Sequence, residues 1–276
     1  MRVPLAGGGQ ETLLSEVGSQ YLLPLFSTRD ACALRLVCRE FLAAVSEQPW
    51  EDSRTCIKGS IGAWRACFPR ARAANVREYE IYSSRWRAVP VVDADFVHFK
   101  GLRVLIMKNC KSVTDAAFVL LRGIHTLDMS WCYQRAITNA AFAHLAGIQR
   151  LNIEGCEQHA VTDAAFVHLR GIQALCMRNC PQFTDSGFVH LRGIHELYMQ
   201  DCSQPSISDA AFAHLKGIDT LVIDGCTQAT LTGAGFVHLE GVRTLGMNHC
   251  GVEQVAIARS MHLPVDEQNV WTFNIK

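Results

Sequence analysis

Any chemistry in this chain has to come from its cysteines and histidines, which number 12 and 11 in 276 residues. Both recur at fixed intervals. Cys110, Cys132, Cys156, Cys180, Cys202, Cys226 and Cys250 stand 22, 24, 24, 22, 24 and 24 residues apart. His98, His144, His168, His190, His214 and His238 keep the same register, which Leu120 interrupts. Thiols stacked one per repeat are potential soft-metal donors, but a structural zinc site uses two closely spaced pairs of the C-x₂₋₄-C kind. Only Cys176 and Cys180 have that spacing, and no second pair accompanies them. No metal and no cofactor are therefore expected. The ladder thiols should be buried donors to neighbouring backbone carbonyls, and the histidines a partly exposed structural position.

Catalytic signatures are missing as well. The sequence has no GxGxxG, P-loop, nucleophile elbow or HExxH. Cys32, Cys38, Cys56 and Cys67, which lie outside the ladder, have no evident histidine partner. The chain is expected to be no enzyme in its own right. With 26 Lys+Arg against 26 Asp+Glu the formal charge is zero, so no bulk attraction to nucleic acid or to an anionic membrane is expected. At 49% apolar and 19% charged residues a sizeable core can form. Residues 1–10, with a triple glycine and no apolar stretch, read as a flexible N-terminus rather than a signal peptide. The expectation is a protein of the cytoplasm or nucleus with reduced cysteines.

The elements that position these residues follow from the same period. Gly101, Gly123, Gly147, Gly171, Gly193, Gly217 and Gly241 step by identical intervals, as do Leu105, Leu127, Leu151, Leu175, Leu197, Leu221 and Leu245. Because 22, 24, 24 occurs twice, a 70-residue unit is duplicated without a gap. Each repeat begins with a short alternating stretch, in which Leu127 and Met129 face one way and Thr126, Asp128 and Ser130 the other, as in a strand of three or four residues. A polar loop of variable length follows. Then Thr or Ser with Asp predicts a helix N-cap, and the glycine predicts the helix stop. One such unit cannot bury its apolar side alone, whereas stacked units share a continuous core.

These repeats resemble the cysteine-containing leucine-rich repeat, whose period lies within roughly 20 to 29 residues. The resemblance covers about Val91 to Val252, seven strand units, and implies an α/β solenoid with one parallel strand per repeat and short helices on the convex side. It also implies a concave sheet surface that holds a protein partner. The polar-side positions are then the binding candidates: Lys108, Asp128, Trp131, Arg150, Asn152, Arg178, Glu196, Tyr198, Asp201, Asp224 and His249. Trp131 and Tyr198 are the expected exposed anchors, since aromatic residues carry much of the energy at interfaces.

Residues 11–52 lack the period and place apolar residues as in short amphipathic helices, with Ser27-Thr28-Arg29-Asp30 as a helix-starting break. The stretch LLPLFSTRDACALRLVCREF, with Asp30, Val37-Cys38-Arg39, Phe41 and the later Pro49-Trp50, resembles an F-box, although Leu13-Leu14 stands where that family carries Leu-Pro. An F-box followed by such repeats implies the substrate receptor of a cullin-RING ubiquitin ligase, docking a Skp-type adaptor. Leu22, Leu25, Leu34, Val37 and Phe41 would divide between the domain's own core and that contact. The alternative is a stand-alone interaction scaffold or inhibitor whose N-terminal helices only cap the solenoid. Residues 53–90 read as a helical linker or N-terminal cap, and 253–276 as a C-terminal cap in which VWTFNIK alternates like a terminal strand.

Overall fold

A repeat of this kind folds only if each coil ends where the next one begins, and the backbone shows how that is achieved. The computed structural model describes residues 23–37, 39–78, 90–269 and 272–273. The chain divides into two compact units, Met1–Val76 and Arg77–Lys276. The boundary falls inside the stretch expected to be a linker, so residues 53–76 belong with the helices. Among the described residues no helix is long and apolar enough to cross a membrane.

The first unit contains α1 (Thr28–Leu34), α2 (Arg39–Glu47), α3 (Ile61–Cys67) and the short strand β1 (Ala73–Asn75). Ser27 caps α1: its hydroxyl oxygen accepts the Asp30 N–H at 3.2 Å, and the Asp30 carboxylate accepts back from the Ser27 N–H. This reciprocal arrangement satisfies two donors that the helix leaves unpaired. The core joins Leu23, Ala31, Val45, Trp50, Phe68 and Ala71. Trp50 donates its indole N–H to the Val45 carbonyl and meets Phe68 edge to face at 5.5 Å, which satisfies the ring's one donor without exposing it. Phe68 and Ala71 come from the supposed linker, which explains why 53–76 is not a separate connection. The stretch 11–22, including Leu22, lies outside the described residues.

The second unit is one parallel sheet. Its strands are β2 (Val104–Ile106), β3 (Thr126–Asp128), β4 (Arg150–Asn152), β5 (Ala174–Cys176), β6 (Glu196–Tyr198), β7 (Thr220–Val222), β8 (Thr244–Gly246) and β9 (Val265–Asp266). Each pairs with the next, so the seven repeat leucines align from Leu105 to Leu245 and every one is fully buried. Behind them runs a phenylalanine spine, Phe96, Phe118, Phe142, Phe166, Phe188, Phe212 and Phe236, also fully buried. Truncating one of these rings to alanine would cost about 3–5 kcal/mol.

Between strands the chain makes helical turns of four to seven residues, α-type or 3-10. Thr114, Thr138, Thr162, Thr184 and Ser208 cap them by accepting an N–H two residues on. The aspartate that opens most of these turns serves the next coil, and after Thr138 its place is taken by Asn139. Asp93, Asp115, Asp163, Asp185 and Asp209 each accept both the N–H and the hydroxyl of the following Thr or Ser cap. The Thr-Asp dipeptide is therefore a cap within one coil and a clamp to its neighbour. All seven repeat glycines have φ between +80° and +86°, left-handed backbone that a Cβ disfavours, and there the chain leaves the turn for the strand.

The sheet extends one strand beyond the sequence pattern. After Cys250, the helix α4 (Val252–Ser260) replaces the short turn, and His262 at φ +59° does the glycine's work. β9 then pairs with β8, aligning Leu245 with Val265. The terminal strand expected over VWTFNIK falls largely outside the described residues.

Candidate functional site

Pleating sends alternate strand residues to opposite faces. The leucines point toward the helical turns, and their neighbours line the opposite, open face. In register these neighbours make two rows: Val104, Thr126, Arg150, Ala174, Glu196, Thr220 and Thr244, then Ile106, Asp128, Asn152, Cys176, Tyr198, Val222 and Gly246. Two residues beyond each strand lies a third row that includes Lys108, Glu154, Arg178 and Asp224. A fourth row precedes the cysteines: Asn109, Trp131, Gly155, Asn179, Asp201, Gly225 and His249, every one at positive φ.

The predicted binding residues fall into all four rows, in different states. Arg150 and Glu196 form a bidentate ion pair, with the two hydrogen bonds at 3.1 and 3.0 Å. Arg178 lies 3.2 Å from Asp201 and 4.0 Å from Glu154. Lys108 reaches Asp128 at 3.2 Å, and Ser130 donates to the same carboxylate. Asp128 and Asn152 are buried, so they shape the surface from beneath. Asp224 is half-buried; desolvation pushes its carboxyl above the usual range, against the hydrogen bonds it accepts from Asn248. His249 is exposed. Trp131 is 39% exposed, and its ring lies over Gly155, where a Cβ would come within 2.5 Å of the indole.

Tyr198 is a correction. Expected as an exposed anchor, it is only 7% exposed. Its cover comes from the C-terminal segment: Phe273 meets the tyrosine ring edge to face at 5.4 Å and packs with Cys176, Tyr198 and Val222. Burial, then the nearby Glu196 carboxylate, push the Tyr198 phenol up. Alternation along β6 predicts the face correctly but carries no information about a ring contributed 75 positions later.

The cysteine ladder has a uniform geometry. Cys132, Cys156, Cys180, Cys202, Cys226 and Cys250 donate to the carbonyls of Met107, Met129, Ile153, Met177, Met199 and Ile223, at 3.1 to 3.2 Å. Burial pushes the thiol of Cys132 up to about 12, and those of Cys202 and Cys250 to about 11. They are pinned hydrogen-bond donors, far from the thiolate form that reacts. Among the described residues no three His, Cys, Asp or Glu side chains gather in a metal-binding group. The ladder histidines are half-exposed to exposed on the turns, away from the open face.

A second ladder is built of glutamines. Gln134, Gln158, Gln182, Gln204 and Gln228 stand two residues after a ladder cysteine, and each side-chain amide donates to a carbonyl of the preceding coil. The recurring Cys-x-Gln is its signal, hidden because loops of unequal length follow it.

Two solved structures share this architecture. The crystal structure of the Rad7 and Elc1 complex in yeast superposes with a TM-score of 0.54 at 14% identity, covering 75% of this chain and 56% of that one. That of the TLR13–ssRNA13 complex gives 0.55 at 13% identity, covering 76% and 34%. The fold is a leucine-rich repeat solenoid. The chain spans about half the length of the first neighbour and a third of the second. No family model and no curated protein matches its sequence. Within the solenoid, the open sheet face gathers unlike charges and the exposed Trp131 ring, the groups a protein partner would use, and its framework of carbonyl-bound thiols and amides is structural.

Proposed function

We propose that this protein is the substrate receptor of a cullin-RING ubiquitin ligase, docking a Skp-type adaptor through its N-terminal helices and a target protein on the solenoid. The observation that carries this reading is the apolar surface of the helical unit. Leu25, Leu36 and Val37 are 80%, 89% and 67% exposed, and Phe26 and Leu42 are exposed beside them. Solvent exposure of several large apolar groups on one small unit is what a binding surface presents. Of the candidates among the described residues, Leu34 packs against the core and Phe41 is half-buried, while Leu25 and Val37 are exposed, a division that supports the reading.

Rad7, the first structural neighbour, is complexed with Elc1, which supports a protein partner for a solenoid of this kind. The zero net charge offers no comparable support for a nucleic-acid ligand such as that of TLR13. In this reading the chain supplies no catalytic residue. It raises the effective concentration of the target beside the ubiquitin-carrying enzyme.

The test is capture of a purified Skp-type adaptor by the full chain, beside a Leu36→Asp/Val37→Asp variant. Both substitutions fall on exposed side chains, so the variant should melt like the parent and lose adaptor binding at least tenfold. A well-folded parent that fails to bind the adaptor overturns the receptor reading and leaves an interaction scaffold.

A further inference from the structure

The charges of this chain balance overall, but along one edge of the solenoid they do not. Each coil passes from its helical turn into its strand through a short stretch: 97–103, 119–125, 143–149, 167–173, 189–195, 213–219 and 237–243. Together these stretches carry seven Lys or Arg against two acidic residues, Asp219 and Glu240, both in the last two coils. The residue before the repeat glycine supplies most of the excess: Lys100, Arg122, Arg170, Arg192 and Lys216, all exposed. Lys100, Arg122, Arg170 and Arg192 share one backbone conformation, with φ between −54° and −56° and ψ of 128° or 129°, so their side chains start in the same direction. Three residues on, the N–H groups of His125, Gln149, Gln173 and His195 each donate to the carbonyl one coil before at 2.9 to 3.0 Å, which keeps this edge in register.

On the open sheet face the cations are answered: Lys108 by Asp128, Arg150 by Glu196, Arg178 by Asp201. Along this edge they are not. Among the described residues no carboxylate is ion-paired with Arg122, Arg170, Arg192 or Lys216. Arg122 and Arg192 lie instead against the ring nitrogens of His144 and His214, one coil on, at 3.3 to 3.4 Å. The aspartates Asp115, Asp163 and Asp185 stand at the opposite end of their turns and are engaged by the next cap. A cation at the end of a helical turn is favoured by the turn's dipole, which accounts for the basic row alone. It does not account for a second row three residues earlier, Val97, Val119, Val167, Val189 and Val237, each 42% to 63% exposed. Valine there adds neither core packing nor helix propensity.

We infer that this edge is a second interaction surface, and that it takes an acidic protein segment carrying aliphatic side chains, its carboxylates on the basic row and its apolar groups on the valines. Unanswered cations beside exposed apolar side chains are what such a segment complements. A single-stranded nucleic acid calls for exposed aromatic rings on which bases stack. The one such ring in these stretches, Phe99, is buried. An anionic membrane calls for Trp, Phe or Leu beside the cations, where this edge has valine. The surface lies apart from the four rows of the open face and does not depend on adaptor docking.

The probe is a fluorescein-labelled peptide of Glu-Glu-Leu repeats, followed by anisotropy as the full chain is added with no adaptor present. Arg170→Glu/Arg192→Glu should weaken binding about tenfold or more and melt like the parent, since both side chains are exposed. Should the glutamates unfold the edge, Arg170→Gln/Arg192→Gln puts the same question with neutral side chains. Arg29→Glu/Arg54→Glu makes the same change in net charge on the helical unit and should bind like the parent. Val167→Ser/Val189→Ser should weaken binding severalfold, and a Glu-Glu-Ser peptide should bind the parent less tightly than Glu-Glu-Leu. A parent that does not bind the peptide overturns the inference. So do equal losses in the two charge-reversed chains, which would reduce the attraction to bulk charge, and unchanged binding by the serine variant. Single-stranded RNA or phosphatidylserine vesicles bound more tightly than the peptide, and lost with Arg170 and Arg192, would overturn the assignment to a protein segment. Since no adaptor is present and the edge variants leave the N-terminal helices untouched, either result is separable from failure of the receptor reading.

Discussion

Arg150 on β4 and Glu196 on β6 are joined by two hydrogen bonds, 3.1 and 3.0 Å long, between side chains two strands apart with Ala174 on the strand between them. Ala174 is fully buried, and a larger side chain there would occupy the path of the pair. The pair itself is partly exposed, 17% and 31%, so its own contribution to stability is small, about 0–1 kcal/mol. Glu196→Gln should therefore lower the urea midpoint only slightly. Ala174→Leu should cost about 1–3 kcal/mol through overpacking and also free Arg150 from the Phe273 ring. Equal costs for the two variants would mean that Ala174 is not needed beneath the pair.

How much of this was legible in the sequence depends on the range of the interaction. Contacts set by the period are written there seven times over: Leu127, Cys132 and Gly123 each predict their own place because every coil repeats the same local problem. The open-face rows follow from alternation alone. Tyr198 was read onto the right face and into the wrong environment, because its cover comes from outside the repeat. Val265 pairs with Leu245 although no glycine precedes it, since His262 takes the left-handed position; a pattern search keyed to glycine ends one coil early. Phe68 was assigned to a linker because a lone aromatic after a short helix carries no period to betray its core role.

The Thr-Asp clamp makes a graded prediction. The Asp163 carboxylate accepts the Thr184 N–H at 2.9 Å and its hydroxyl at 2.5 Å. Asn139 occupies the same position one coil earlier and holds Thr162 with its amide, accepting the N–H and donating to the hydroxyl. Asp163→Asn should thus keep both contacts and stay within about 0.5 kcal/mol of the parent, whereas Asp163→Ala leaves a partly buried N–H without its acceptor and should cost about 1–3 kcal/mol. Denaturant midpoints for the two variants decide it, and a similar loss for both would show that the carboxylate charge, not the hydrogen-bond geometry, is what matters.

The buried thiols fix a direction for alkaline stability. Their values are raised from 9.0 to about 12 at Cys132 and about 11 at Cys202, with Cys156, Cys180 and Cys226 also well above it. Below about pH 8 both folded and unfolded chains keep these protons, so the thiols add no slope. Between 9 and 11 the unfolded chain loses them and the folded chain does not. Stability must then fall as pH rises, by about 1.4 kcal/mol per pH unit for each thiol. The urea midpoint under reducing conditions should decline across that window, and Cys156→Ala/Cys180→Ala should remove two protons' worth of slope. An unchanged slope in the double variant would contradict the burial of these groups.

The last prediction concerns Trp131, an exposed ring of the fourth row. It sits at φ +63°, an uncommon conformation for a bulky residue, with its indole over Gly155. A methyl group on Gly155, itself at φ +66°, would come 2.5 Å from the ring. Gly155→Ala should therefore displace the indole, shift its emission to the red, and destabilise by about 1–3 kcal/mol. Gly225→Ala is the control. It has nearly the same backbone, φ +70°, but its methyl would meet the end of the Asp201 side chain, which can swing aside. It should show the backbone cost without the spectral change. If both variants leave the emission alone, Trp131 is not seated on Gly155, and its positive φ must be held by the hydrogen bond from its own N–H to the Glu154 carbonyl. If only Gly155→Ala moves it, the ring is pre-positioned by the glycine beneath it, which limits the ordering cost an interface would otherwise impose on so large a side chain.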